Sequence, residues 1–179
     1  VNNAGVNFNF GSDNSVENAH KVIETNYYGT KRMIEAMIPL MKVSPAGGRI
    51  VNVSSRLGRL NGKRNVKELI DGAVNAFLQQ VDDGTWQSGG WPATFTDYSV
   101  SKLAVNAYTR VMAKKLSDRP DGEKIFINCY CPGWVKTALT GYAGSVSVEA
   151  GADTGVWLSL IPEQAITGMF FAERREINF

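Results

Sequence analysis

The sequence has only one histidine, His20, among its 179 residues. This scarcity excludes a metal site built from several histidines and leaves little room for a Ser-His-Asp hydrolase. Only two cysteines occur, Cys129 and Cys131, and their spacing within a β-like run gives a disulfide between them poor geometry. We therefore predict no metal site, reduced thiols and a cytoplasmic location.

Long apolar stretches and blocks of positive charge are also missing. No apolar run approaches the roughly 20 residues that a membrane-spanning helix needs. The net charge of +2 is too small to indicate a nucleic-acid partner. The remaining composition, 44% hydrophobic and 20% charged residues, is typical of a soluble globular protein with one core. We therefore predict neither a membrane nor a nucleic-acid partner.

The chain begins with VNNAG and therefore lacks an initiating methionine. Val1 resembles the last residue of a buried strand whose earlier residues are not in this sequence. We expect the beginning of the domain to lie outside the 179 residues. A targeting segment would lie there as well.

The hydrophobic pattern predicts strands and helices in alternation. Compact apolar segments predict strands that end at Val1 or cover residues 49–55, 124–132 and 168–172, and helical spacing is found in residues 14–41, 96–117 and 148–160. Asn14 is the expected cap of the first helix. The alternation predicts an α/β fold with a parallel sheet and helices on both faces.

The segment between the second strand and the second helix is unusually long. We interpret residues 56–92 as an insertion with its own amphipathic helix, marked by apolar residues from Val66 and Leu69 to Val81. Trp86, Trp91 and Phe77 either pack inside this insertion or form an apolar mouth. The charged residues 172–179 are interpreted as a solvated tail.

Two tyrosines are followed by a lysine four positions later, Tyr27 with Lys31 and Tyr98 with Lys102. A tyrosine with a pKa near 10 is a poor acid–base catalyst at neutral pH. A lysine one helical turn away lies on the same face and stabilises the phenolate, which lowers that pKa. Spacing alone does not decide which pair is reactive.

Five segments, taken in order, resemble the short-chain dehydrogenase/reductase family over nearly the whole chain. They are NNAG (2–5), NYYGT (26–30), VNVSS (51–55), YSVSK (98–102) and PGWVKT (132–137). The long insertion and the GGWP segment before Tyr98 resemble the carbonyl reductase branch, which includes plant menthone- and salutaridine-type reductases. The resemblance implies a Rossmann-like doubly wound parallel sheet, of which residues 1–179 form the C-terminal part of one domain.

The resemblance also implies roles for individual residues. Tyr98 would donate a proton to the substrate carbonyl, and Lys102 would support Tyr98 and hold the cofactor ribose. Ser55 would contact the substrate oxygen, and Asn26 would anchor a water that relays protons to Lys102. Further cofactor contacts are expected from Asn3, Ala4, Gly5, Pro132, Gly133, Val135 and Thr137. Trp134 is either a wall of the substrate pocket or a core aromatic. Tyr27 and Lys31 are then a packing residue and a solvated lysine.

The implied activity is NADP(H)-dependent reduction of a ketone or aldehyde to an alcohol. The preference for NADP(H) comes from the branch alone, so NAD(H) stays open. The family's glycine-rich turn for the pyrophosphate is absent from the sequence, and we do not expect activity from these 179 residues alone. A catalytically silent binding protein is the main alternative, and an epimerase-type enzyme with the same Tyr-Lys pair is a third. Because the insertion helix would cover a surface through which many family members pair, we predict a monomer.

Overall fold

The computed structural model describes residues 1–8, 15–42, 44–59, 70–162 and 166–178. Four strands within these ranges form one sheet in the order β1 (Gly48–Val53), β2 (Ile125–Tyr130), β3 (Phe170–Ala172) and β4 (Arg175–Glu176). The first three strands are parallel, and β4 is antiparallel to β3. Asn2 makes a parallel bridge to Asn52 on the free side of β1, so the chain begins beside the sheet, as predicted for a strand end.

The first helical segment is one continuous rod. It consists of α1 (Val16–Ile23), a π-helical stretch (Glu24–Gly29), α2 (Thr30–Met37) and a final 3₁₀ turn. Its cap is Ser15, whose hydroxyl accepts a hydrogen bond from the backbone N–H of Asn18. The prediction of Asn14 as the cap is therefore wrong, and that residue lies outside the described ranges. The apolar periodicity predicted the rod but not its π-helical stretch.

Three further helices complete the architecture: α3 (Ile70–Asp82), α4 (Thr96–Leu116) and α5 (Val148–Leu160). The insertion helix is thus described from Ile70 onward, and the predicted positions Val66 and Leu69 fall outside the described residues. Inside the insertion, the rings of Phe77 and Trp91 meet edge to face at 5.2 Å, and Trp86 packs against the same core. None of these aromatics lines the cleft at the carboxyl ends of β1 and β2. The interpretation that they pack inside the insertion is therefore correct.

Helices cover both faces of the sheet, as predicted. Helices α1, α3 and α4 pack with Ile50, Ile125 and Ile127 on one face. On the other face α5 packs through Leu158 against Val51 and its neighbours. The crossover connections β1–α4–β2 and β2–α5–β3 each move one strand further along the sheet in the same direction. Because α4 and α5 lie on opposite faces, the two crossovers have opposite handedness. Among the described helices, none is both long and apolar enough to cross a membrane.

The interpretation of residues 172–179 as a solvated tail is correct in one respect, since residues 173–176 are exposed, but residues 170–176 form a hairpin rather than a tail. Strands β3 and β4 form a hairpin whose turn residues, Glu173 and Arg174, have φ values of 54° and 58°. Such turns usually contain glycine or asparagine. Here the turn is fixed from α5: the backbone N–H of Arg174 donates to the Thr154 hydroxyl at 3.1 Å, and its guanidinium pairs with Asp153. These partners lie some twenty residues away, so local sequence does not reveal the turn.

Candidate active site

The carboxyl ends of β1 and β2 meet the first turn of α4 at a cleft of about 740 Å³. Loops after neighbouring parallel strands emerge at the same edge of a sheet, which is where ligands bind in such folds. Most of the predicted site residues line this cleft. They are Asn3, Gly5, Ser55, Tyr98, Lys102, Pro132, Gly133, Trp134, Val135 and Thr137. Two predicted residues do not: Ala4 is exposed outside the cleft, and Asn26 is buried away from it.

Tyr98 lies in the first turn of α4. The preceding Phe95 has a left-handed backbone (φ 50°, ψ 40°), and the Asp97 carboxylate accepts a hydrogen bond from the Tyr98 N–H at 2.7 Å. Burial raises the pKa of Tyr98 to about 12, and the neighbouring Cys131 contributes to the rise. A hydrogen bond with the Ser55 side chain opposes it. Tyr98 is therefore protonated at neutral pH and able to donate its proton.

Lys102 lies one helical turn after Tyr98 and is 3% exposed. Its Nζ donates a hydrogen bond to the Val53 carbonyl at 2.9 Å and lies 5.5 Å from the centre of the Tyr98 ring. Burial lowers the pKa of Lys102 to about 8, while Cys131 opposes the shift. The sequence predicted that Lys102 would lower the pKa of Tyr98. In this structure burial raises that pKa, Cys131 adds to the rise, and the opposing contribution comes from Ser55.

Ser55 lies two residues after the end of β1 and caps a 3₁₀ turn, Arg56–Gly58. Its hydroxyl oxygen accepts a hydrogen bond from the Leu57 N–H at 3.1 Å. Because Ser55 prolongs a strand of the sheet, its side chain reaches the cleft from the sheet side, opposite α4. The serine hydroxyl and the Tyr98 phenol therefore face the same space.

Asn26 lies in the π-helical stretch and ties two parts of the site together. Its side-chain amide accepts from the Val6 N–H at 2.8 Å and donates to the Val6 carbonyl at 3.0 Å. The same amide donates to the Ser101 hydroxyl, which in turn donates to the Tyr98 carbonyl at 2.7 Å. Asn26 thus connects the loop after Gly5 with the first turn of α4.

The loop after β2 forms the opposite wall of the cleft. Gly133 has φ 85°, a conformation that glycine adopts without strain. Trp134 is 46% exposed, and its indole N–H donates to the Ala143 carbonyl at 3.1 Å. It lines the cleft and is not a core aromatic. Sequence reasoning missed the rest of the apolar wall, because its residues carry no motif. They are Phe95, Leu139, Val148, Val156 and Leu160.

The second tyrosine–lysine pair lies elsewhere. The hydroxyl of Tyr27 donates to the Asp71 carboxylate on α3, and Lys31 forms an ion pair with the same carboxylate. Burial and Asp71 together raise the pKa of Tyr27 far above its ordinary value. Lys31 is therefore ion-paired rather than simply solvated, and this pair holds the insertion helix in place. Of the two tyrosine–lysine pairs, only Tyr98 with Lys102 lines the cleft.

Side chains that could bind a metal ion are not grouped in the part of the chain that the structure describes. Within residues 1–8, 15–42, 44–59, 70–162 and 166–178, no cluster of three or more His, Cys, Asp or Glu side chains could hold a metal ion.

Comparison with known proteins gives consistent matches. Residues 1–67 match the family model described as short chain dehydrogenase. The chain is 40% identical to a (+)-neomenthol dehydrogenase from Capsicum annuum, over 94% of this chain and 55% of that protein. It is 34% identical to carbonyl reductase [NADPH] 1 from Bos taurus, over 100% of this chain and 69% of that protein.

Solved structures resemble the chain as well. Salutaridine reductase from Papaver somniferum superposes with a TM-score of 0.77 at 34% identity, over 89% of this chain and 56% of that chain. The first curated relatives are matched over 51% to 60% of their length. The chain therefore spans little more than half the length of those relatives.

Proposed function

This chain belongs to the short-chain dehydrogenase/reductase family, and on that premise we propose that it carries the catalytic centre of an NADP(H)-dependent reductase. The reaction is the reduction of a ketone or aldehyde to an alcohol. The observation that carries the proposal is the convergence of Ser55, Tyr98 and Lys102 on one cleft at the carboxyl edge of the sheet.

A nicotinamide cofactor, when bound in the cleft, would be the source of the hydride that reduces the carbonyl carbon. Ser55 donates a hydrogen bond to the carbonyl oxygen and holds it within reach of Tyr98. Tyr98 transfers its phenolic proton to that oxygen as negative charge develops there. The Lys102 ammonium then stabilises the phenolate that remains. Asn26 and Ser101 hold the first turn of α4 against the loop after Gly5, which keeps Tyr98 in position.

The cleft fits the nicotinamide half of such a cofactor. Its wall is largely apolar, and Pro132, Gly133, Val135 and Thr137 present backbone and small side chains to it. A Cβ on Gly5 would lie 3.5 Å from the Lys102 Nζ, so glycine leaves the space beside the ammonium open. Asn3 and Ala4 would contact a part of the cofactor that lies further from the nicotinamide ring. NADP(H) rather than NAD(H) is proposed because the cattle relative is named for NADPH.

The substrate that fits this cleft is a small or medium apolar carbonyl compound. Trp134 and Leu139 line its outer part and are 46% and 36% exposed, so they offer an apolar surface to a ligand. The names of the pepper and poppy relatives, a neomenthol dehydrogenase and a salutaridine reductase, agree with a ring ketone.

Loss of NADPH absorbance in the presence of a panel of cyclic ketones and aldehydes tests this proposal in the full-length protein. We expect turnover with NADPH and slower turnover with NADH. A catalytically silent binding protein on the same fold would bind NADPH without consuming it. An epimerase-type enzyme would convert substrate without net consumption of NADPH.

We propose that the chain is one domain with an insertion at about residues 56–92, and that the full-length protein is a monomer. Helix α3 lies on the surface formed by α1 and α4 and buries Val74, Phe77 and Val81 there. Asp71 fixes the start of α3 through Tyr27 and Lys31. The part of the α1–α4 surface that α3 covers is therefore not available for pairing with a second chain.

Light scattering of the full-length protein at micromolar concentration checks the oligomeric state. We expect the mass of a single chain at every concentration. A dimer or tetramer that persists on dilution would contradict the proposed role of α3.

We further propose a cytoplasmic location. Cys129 and Cys131 are both free and buried, which suits a reducing compartment. Cell fractionation with detection of the native protein checks this, and recovery in a secreted fraction would contradict it.

A further inference from the structure

We propose that Gly58 and Asn106 are positioning residues that hold the Ser55 hydroxyl against Tyr98. The inference rests on the proposed reductase function, because it concerns how one of its catalytic groups is placed. Neither residue lines the cleft. Both act through a contact between the 3₁₀ turn after β1 and helix α4, which we call the β1–α4 seam and define by Ser54, Gly58, Lys102 and Asn106.

The seam leaves no room for a side chain at Gly58. A Cβ placed there would lie 2.4 Å from the carbonyl carbon of Lys102 and 2.6 Å from the backbone nitrogen of Leu103. Both atoms belong to the backbone of α4, so neither moves aside as a flexible side chain would. The turn therefore touches the helix backbone at Lys102, the residue one turn after Tyr98.

Gly58 is rigidly connected to Ser55. The Gly58 N–H donates to the Ser55 carbonyl at 3.0 Å, and the Ser55 hydroxyl accepts from the Leu57 N–H. A displacement of Gly58 away from α4 therefore rotates this single turn and moves the Ser55 hydroxyl with it. The distance between this 3₁₀ turn and α4 therefore sets the distance between the hydroxyls of Ser55 and Tyr98.

Asn106 closes the seam from the helix side. It is fully buried, one helical turn after Lys102, and its side-chain N–H donates to the Gly58 carbonyl at 3.0 Å. A weaker bond from the Ser54 hydroxyl to the Lys102 carbonyl, at 3.3 Å, lies beside it. The strand end that carries Ser55 is thus bonded twice to the helix that carries Tyr98 and Lys102.

The side-chain oxygen of Asn106 indicates that this residue serves to position Gly58 rather than to stabilise the fold. Its Oδ1 is buried and accepts no hydrogen bond from the described part of the chain. An unpaired buried acceptor opposes folding, whereas buried Asn128 uses both ends of its amide, with Ile166 and Met169. A residue retained for stability alone would resemble Asn128. Asn106 instead makes the single bond that fixes Gly58.

The test compares Asn106→Ala with Asn128→Ala in the full-length protein. We expect Asn106→Ala to lower kcat roughly 10- to 100-fold, because small misplacements of a catalytic group have effects of that size. The KM for NADPH should change little, since neither Gly58 nor Asn106 lines the cleft. Asn128→Ala, which loses more buried hydrogen bonds, should lower the melting temperature further and leave kcat near that of the wild type. Gly58→Ala should lower kcat at least as much as Asn106→Ala.

A double-mutant cycle with Ser55→Ala then separates positioning from general damage. If Asn106 acts through Ser55, adding Asn106→Ala to Ser55→Ala causes no further loss of kcat. An equal loss in both backgrounds would overturn the proposal, as would a wild-type kcat in Asn106→Ala. Asn106→Ala and the cycle decide the matter even where Gly58→Ala fails to fold. A wild-type protein without turnover would refute the proposed function itself, whereas an active wild type with unaffected seam variants would refute the seam alone.

Discussion

Replacing Tyr98 by phenylalanine is expected to remove nearly all reductase activity, with kcat lowered roughly 10²- to 10⁴-fold, the usual contribution of a general acid. The Tyr98 phenol is protonated at neutral pH, since burial raises its pKa to about 12, and it is the proton donor that we propose for the cleft. The KM for NADPH should change little, because cofactor binding is distributed over many contacts. Steady-state NADPH consumption by the full-length variant measures both parameters.

Tyr27→Phe is the matched control, since it deletes the same hydroxyl from the other tyrosine–lysine pair. The Tyr27 hydroxyl bonds Asp71 on the insertion helix. Its loss should lower the free energy of unfolding by about 1 kcal/mol and leave kcat near the wild-type value. An inactive Tyr27→Phe beside an active Tyr98→Phe would show that the wrong pair had been assigned to catalysis.

Lys102→Met is expected to lower kcat strongly while it stabilises the fold. The variant removes the ammonium that would stabilise the Tyr98 phenolate, which should lower kcat on the order of 10²- to 10³-fold. The same ammonium is buried with one hydrogen bond, to Val53. Keeping this ammonium charged in the folded protein at pH 7 lowers the free energy of unfolding by up to about 3 kcal/mol. The variant regains this energy but loses the hydrogen bond to Val53, which offsets part of the gain. A net gain of about 1–2 kcal/mol in the free energy of unfolding is therefore expected.

The pH dependence of stability provides a second readout for Lys102. Its pKa is about 8 in the folded protein, below the ordinary value of 10.5 for a lysine. Between these values the unfolded state binds more protons, so the contribution of Lys102 to stability rises with pH across that window and is constant below it. Denaturant unfolding over this range should show the rise in the wild type and a flatter profile in Lys102→Met.

Lys31→Met is the control for this variant. Lys31 forms its ion pair with Asp71 near the surface of the insertion helix. Its replacement should leave kcat unchanged and make the protein no more stable. A Lys102→Met protein that is less stable than the wild type would contradict the view that the buried ammonium is kept for function at the expense of stability.

The fold and the main site residues could be predicted because their signals are local. Strand ends, helical periodicity and the Tyr98–Lys102 spacing can be read from short segments, and the resemblance to one family ordered those segments. Ser55 lies two residues after its strand in sequence, so its place at the edge of the sheet was predictable as well.

Features that depend on distant contacts could not be predicted. Asp71, forty residues after Lys31, determines that the second pair is structural. The hairpin turn at Glu173 and Arg174 depends on α5 and lacks the usual turn residues. The direction of the Tyr98 pKa shift depends on burial, which spacing does not report. The seam joins Gly58 and Asn106, 48 positions apart, through one hydrogen bond.

Isotope transfer tests the central claim most directly. The full-length protein is incubated with a cyclic ketone and NADPH deuterated at either face of nicotinamide C4, and the alcohol is analysed by mass spectrometry. We predict one deuterium at the carbinol carbon from one of the two labelled cofactors, and no labelled alcohol from Tyr98→Phe. Binding of NADPH without labelled alcohol from either cofactor, across the ketone panel, would contradict the claim that this cleft catalyses carbonyl reduction.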